Sequence, residues 1–309
     1  MMNKVTPLIV AMVCLLGSVA ARAAQPSKTV MEVHPRLAVG ALTFAKVTEL
    51  PMDVLLQADD MQVKVGQIDK IIAAQPAQLR EDLRKNAYLV LEQQATSEIL
   101  LGLAKRAQPA QEQKGSEQQD RAIIQDYLEN TVLSKVKVTE ADIKQLYESE
   151  KTMLGGATLE QMYASLKQYL LQQKKQEAVR GFIRNLGKTT DIAVSQSWLA
   201  RQAVLARDNP VDKARDSGRP SLVDFGATGC GPCDMMTPIL EDLKVKYEGK
   251  LNVLFVHVRE RQILGAKYGI QTIPVQAFFD KDGNEVFRHT GFFPQDEIEE
   301  KLAEMGVTR

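Results

Sequence analysis

Cysteine is scarce in this chain: three in 309 residues, at positions 14, 230 and 233. So few exclude a small scaffold stapled by disulfides. A lone C-x-x-C also cannot supply the four ligands of a structural zinc site. The three histidines, 34, 257 and 289, lie at no spacing that would complete one, so no metal is expected. Charge of one sign is lacking too. Lys plus Arg and Asp plus Glu each total 39, with no block of like charges. Binding a phosphate backbone needs a concentrated basic surface, so no nucleic-acid partner is expected.

Long apolar runs are absent except from Leu8 to Ala20, which is short of the roughly 20 residues that a spanning helix needs. Lys4 precedes this run and Ala21-Arg22-Ala23 follows it, so residues 1–23 read as a cleaved secretory signal peptide. Val13 before Cys14 makes no lipoprotein box. Cleavage removes Lys4, Arg22 and Cys14 and leaves a net charge of about −2. Cys230 and Cys233 are then the only thiols, in a compartment that permits disulfides.

What remains is 44% apolar and 25% charged, a soluble globular composition with room for two domains. Residues 24–66 alternate short apolar runs (A-V-G-A-L-T-F-A-K-V, M-Q-V-K-V-G) with turn residues and read as a strand-rich segment. From residue 67 the period lengthens. Leu79, Leu83, Ala87, Val90, Leu91, Ile99 and Leu103 form a stripe on one long helix. The polar stretch 108–118 reads as an exposed connection. Ile123, Ile124, Tyr127 and Leu128 mark another helix. Thr139 with Asp142 caps the next, and Thr158 with Gln161 caps a long one. That helix is striped by Leu159, Met162, Leu166, Leu170, Phe182 and Leu186, expected mostly as core. Residues 67–190 thus form a mainly α-helical domain. Residues 191–209, with Trp198, read as a linker helix, followed by a short helix ending at Gly218.

From 210 the pattern changes to a small α/β unit. Strands are expected at 221–226, 251–258, 275–279 and 285–289, the last two joined by the hairpin turn D-K-D-G-N. Helices are expected at 232–247, 259–267 and 294–305, giving a mixed sheet flanked by helices. Cys230 stands just before the first of these helices, where unpaired N–H groups and the positive end of the dipole favour a thiolate. A thiolate is the reacting species in disulfide exchange. Cys233, one turn further in, is placed to resolve a mixed disulfide, and Gly231 and Pro232 keep the turn short and stiff.

V-D-F at 223–225, C-G-P-C at 230–233, Pro238 and K-Y-G-I-Q-T-I-P at 267–274 fall together in the register of the thioredoxin family, which residues 210–309 resemble. The resemblance implies a thioredoxin fold and protein disulfide exchange, with no cofactor beyond the cysteine pair. It also implies that Asp224 accepts the proton of Cys233. Pro274 is implied as a cis-proline that leaves the Ile273 backbone free to pair with substrate. Gly229 and Gly226 stand where the family often has aromatics, implying a more open surface. Asp234 replaces a frequent Lys and disfavours the thiolate. Phe255 replaces the lysine that often pairs with the acid, and so raises the pKa of Asp224. His257 and His289 are expected to be structural; Phe292 and Phe293 read equally well as groove or core.

V-T-E-A-D-I-K-Q-L-Y-E-S-E-K at 138–151 and L-E-Q-M-Y-A-S-L-K-Q-Y-L-L-Q-Q-K-K-Q-E-A-V at 159–179 resemble the helical domain of SurA-type periplasmic chaperones. Only M-L-G-G-A stands where that family often inserts a prolyl isomerase domain, so isomerisation of proline is not carried over. The expectation is a periplasmic thiol-disulfide oxidoreductase acting on protein or peptide clients that the helical domain binds. The Gly-Pro dipeptide resembles that of reducing members. It implies a reductase or isomerase fed by a membrane thiol donor of the DsbD kind. A disulfide-forming oxidase, or a chaperone in which CGPC is dispensable, are the alternatives.

Overall fold

The computed structural model describes residues 27–59, 61–107, 116–151 and 154–308. The signal-peptide segment and residues 108–115 of the polar connection lie outside them. After a short helix α1 (Val30–Val33) and a 3-10 turn over Gly40–Phe44 come strands β1 (Lys46–Thr48), β2 (Val54–Ala58) and β3 (Met61–Lys64). Within the stretch A-V-G-A-L-T-F, expected as strand, Gly40–Phe44 is the 3-10 turn; only K-V-T after it forms a strand.

The single long helix expected from residue 67 is three helices: α2 (Val65–Ala73), α3 (Ala77–Lys85) and α4 (Ala87–Ala107). Pro76, with no N–H to donate, interrupts the ladder and stands at the head of α3. Asn86 ends α3 by turning its Nδ2 back onto the Asp82 carbonyl at 2.9 Å. Both breaks are so short that the apolar spacing passes through them undisturbed. Tyr88, Leu91 and Ala95 of α4 pack with Leu42, Leu55, Leu56 and Val63 in the N-terminal core.

Helices α5 (Glu117–Thr131), α6 (Glu140–Glu150) and α7 (Leu159–Thr189) follow. Both expected caps are present as reciprocal boxes. Thr139 N donates to Asp142 Oδ2 at 2.8 Å and Thr158 N to Gln161 Oε1 at 2.8 Å. The α7 stripe is less buried than its spacing suggests. Leu166 and Leu186 are buried, whereas Leu159, Met162, Leu170 and Phe182 are only partly so. A two-helix hairpin has one partner face to offer, and the cluster that α6 and α7 form around Ile143, Tyr147 and Leu166 leaves Leu159, Met162 and Leu170 packed against it but only partly covered. At its far end α7 meets the 3-10 turn so closely that a Cβ on Gly187 would lie 2.0 Å from the Ala41 carbonyl oxygen.

The segment expected as a linker helix opens as a strand. β4 (Ile192–Ser195) slots between β1 and β2, parallel to the first and antiparallel to the second, completing a sheet ordered β1-β4-β2-β3. Only then does α8 (Gln196–Leu205) begin, with Trp198 buried and stacked on Tyr88 at 6.5 Å. α9 (Pro210–Arg215) is capped by Asn209, and the chain turns at Gly218 with φ +75°.

The C-terminal unit matches its expected pattern: β5 (Ser221–Gly226), α10 (Gly231–Lys246), β6 (Asn252–His257), α11 (Gln262–Lys267), β7 (Val275–Phe279), β8 (Glu285–Thr290) and α12 (Gln295–Glu304). The sheet runs β6-β5-β7-β8, with β6 parallel to β5 and the rest antiparallel. Leu222 and Phe278 pack with Met236, Leu240 and Leu302 of α10 and α12; Val223 and Phe225 pack on the opposite face with Val211 and Leu264 of α9 and α11. β5 is buried along its whole length, so whatever follows it emerges from the middle of the sheet.

A buried ionic cluster ties this unit to the N-terminal one. Asp212 is fully buried, paired with Lys267 and lying 3.5 Å from Arg215 and 3.6 Å from Arg36. Arg36 also reaches Asp216 at 2.6 Å, and Lys85 reaches Asp208 at 2.9 Å.

Candidate active site

The chain leaves β5 at Gly226, crosses Ala227 to Gly229 and enters α10 with Cys230 as its N-cap residue. Gly231 and Pro232 occupy the first turn, where the missing proline N–H has no acceptor to satisfy. Cys233 is 1% exposed, while Cys230 is half-buried and Gly231 and Pro232 are exposed. The two cysteines are joined in a disulfide with Cα atoms 5.2 Å apart. When that bond is reduced, the sulfur of Cys230 sits at the positive end of a sixteen-residue helix and beside its free amides. Cys233 lies inside the core.

The loop before Cys230 is fastened to the end of β6. Thr228 N donates to His257 Nε2 at 3.1 Å, and Arg259 Nη1 donates to the Thr228 carbonyl at 3.1 Å. Gly229 takes φ +72°, a left-handed conformation that glycine adopts without strain. His257 is thus structural, as expected, but what it holds is the approach to the reactive sulfur.

Asp224 is fully buried on β5. In register beside it stand Phe255 of β6 and Gln276 of β7. Gln276 Nε2 donates to Asp224 Oδ1 at 2.6 Å, while Oδ2 has no hydrogen-bond partner among the described residues. Burial raises the Asp224 carboxyl to about 6, against the lowering effect of the Gln276 hydrogen bond. Phe255 stands beside the acid with no cation of its own to offer, in line with its place in the sequence.

Gly226 corrects one expectation. It is buried, so its lack of a side chain opens the interior beneath the disulfide rather than the surface around it. A Cβ there would lie 3.4 Å from Asp224 Oδ2, 3.3 Å from Cys233 Cβ and 2.8 Å from the Phe255 ring. Glycine lets the acid and the inner cysteine face one another.

The Ile273–Pro274 bond is cis. Val275 pairs with Phe225, which puts Ile273 and Pro274 just past the end of β5 from which Cys230 emerges. Gly291 N donates to the Pro274 carbonyl at 2.9 Å, with Gly291 at φ +107°. Phe293 is core at 3% exposure, stacked on His289 at 4.2 Å, while Phe292 is partly buried. Gln276 as the second flank of Asp224, and His257 as the anchor of the loop, are visible only once strand register is known.

A cysteine pair at a helix N-terminus, above a buried acid in an inner strand of a mixed sheet, defines a disulfide oxidoreductase of the thioredoxin fold. The thioredoxin family model matches residues 203–304. Thioredoxins of Staphylococcus aureus, strains Mu50 and COL among them, are each 42% identical over 99 residues, covering 32% of this chain and 93% of theirs. A solved structure of a mutant thioredoxin from Halobacterium salinarum is 27% identical, covering 32% of this chain and 84% of that one, with a TM-score of 0.29. The chain belongs to the thioredoxin family through its C-terminal third, and it is a thioredoxin-like protein disulfide oxidoreductase.

Proposed function

We propose that this chain is a periplasmic reductase or isomerase of protein disulfides, with Cys230 and Cys233 as its catalytic pair. The observation that carries the reading is the asymmetry of the two sulfurs, one at an accessible helix N-terminus and one enclosed over Asp224. The Cys230 thiolate attacks one sulfur of a client disulfide, forming a mixed disulfide and releasing the other client sulfur as a thiolate. Asp224 takes the proton of Cys233. The Cys233 thiolate then attacks Cys230, the bond from Cys230 to the client breaks, and the second client sulfur leaves with the electron pair. The client disulfide has gained two electrons and the enzyme pair has lost them. Electrons are restored by a membrane thiol donor of the DsbD kind; no cofactor besides the pair takes part.

Ile273 makes no backbone hydrogen bond within the described residues, which leaves its amide and carbonyl for an extended client strand alongside Pro274. Export rests on the signal-like residues 1–23. The SurA-like character of the helical domain rests on the sequence of α6 and α7. Its client-binding role is supported by the incompletely covered apolar side chains Leu159, Met162 and Leu170 and the exposed Tyr169 along α7.

A Cys233→Ser protein expressed in cells tests the reading. It is expected to strand clients on Cys230 as mixed disulfides that thiol reagents release and mass spectrometry identifies. Recovery of no Cys230-linked client, with intact insulin disulfides after incubation with reduced wild-type protein, overturns it. A Cys230→Ala, Cys233→Ala protein that replaces the wild type in full would instead favour a chaperone role.

A further inference from the structure

The sheet places four side chains in one row beneath the active-site helix: Phe255, Asp224, Gln276 and His289, each in register with the next. Only the middle two are fully buried. A buried glutamine in the inner strands of a sheet is costly unless its amide is used. Here the amide is used once, by Asp224 Oδ1 at 2.6 Å. Gln276 Oε1 and Asp224 Oδ2 are buried without hydrogen-bond partners among the described residues.

We propose that Gln276 is a positioning residue for the resolving step: it grips Oδ1 of Asp224 and thereby turns Oδ2 towards Gly226 and Cys233. This rests on the exchange reaction proposed above. A carboxylate free to rotate about its last bond would present either oxygen in either direction. One held by Nε2 presents a single oxygen to the thiol. During resolution the Cys233 proton passes to Oδ2, the Cys233 sulfur forms its bond to Cys230, and the client sulfur departs with the electron pair of the broken bond. The groups facing Asp224 are Phe255 from β6, Gln276 from β7 and Cys233 from α10. None of the three is a cation, so Gln276 is the one neighbour that stabilises the carboxylate. His289 lies one strand further off, engaged with the Phe292 carbonyl at 3.0 Å.

The test compares the pH dependence of disulfide reduction by wild-type and Gln276→Leu full-length protein. Loss of a hydrogen bond to a charged group is expected to move the acidic limb upwards by about one to two pH units. The rate should recover only in part at alkaline pH, where the acid is ionised in both proteins but unheld in the variant. A loss of rate equal at every pH marks a merely structural role and overturns the proposal. Should Gln276→Leu fail to fold, wild-type protein decides. The side-chain amide resonances of Gln276 are expected to titrate with the same midpoint as the Asp224 carboxyl, and independent titration overturns the proposal. A wild type that titrates in this way but reduces no disulfide contradicts the proposed function and leaves the Gln276–Asp224 link standing.

Discussion

Replacing Asp224 by Asn is expected to stabilise the C-terminal unit at neutral pH and to do nothing of the kind in acid. The carboxyl is raised from an ordinary 3.8 to about 6 in the folded protein. Between those values the folded chain binds a proton that the unfolded chain has lost, so stability falls as pH rises through the window and stays low above it. A shift of this size corresponds to about 3 kcal/mol at pH 7. The Asn side chain never ionises and so escapes this loss. Its own burial costs about 1 kcal/mol at any pH, which cancels when pH 4 is compared with pH 7. Fluorescence of the only tryptophan is the wrong probe, because Trp198 packs in the N-terminal core. Amide hydrogen exchange of β5 in the oxidised protein reads the right unit. Relative to wild type, the Asn variant should gain about two decades of protection on going from pH 4 to pH 7. A ratio unchanged across that range would mean that Asp224 is not a strained acid, and the reasoning about Phe255 and Gly226 would fall with it. The same variant is expected to slow the resolution of mixed disulfides, since its amide cannot take the Cys233 proton.

Lys267→Met is expected to destabilise the protein by about 3–5 kcal/mol, since it leaves Asp212 buried without its nearest cation. Adding Asp212→Asn should recover part of that loss in thermal unfolding, and a silent Lys267→Met would refute the role of the cluster. Gly187→Ala is expected to cost about 1–3 kcal/mol or more, because the new methyl meets the Ala41 carbonyl and neither backbone can step aside. Urea unfolding followed by Trp198 fluorescence measures it, and an unchanged midpoint would contradict the close contact.

Local chemistry was readable in the chain wherever partners are near in sequence. The caps at Thr139 and Thr158, the D-K-D-G-N hairpin and the C-G-P-C turn are all settled within a few residues of themselves. Features set by distant partners were not. β4 is a strand because β1 and β2 leave a slot for it, and nothing within 191–209 announces that. The breaks at Pro76 and Asn86 keep the apolar spacing of one helix, so periodicity alone merged three. Gln276 looked like an ordinary strand residue until the pairing of β5 with β7 set it beside Asp224.

The pairing of Lys46 with Ala193 has a consequence during synthesis. β1 leaves the ribosome long before the strand that completes its sheet, with the helices α2 to α7 emerging in between. Until Ser195 is made, β1 and β2 carry bare edges that invite foreign strands. The redox unit, whose strands all lie between Ser221 and Thr290, faces a far shorter wait. In this chain the first strands to emerge are held open longest, so a polypeptide cut short within α7 would expose an unfinished sheet.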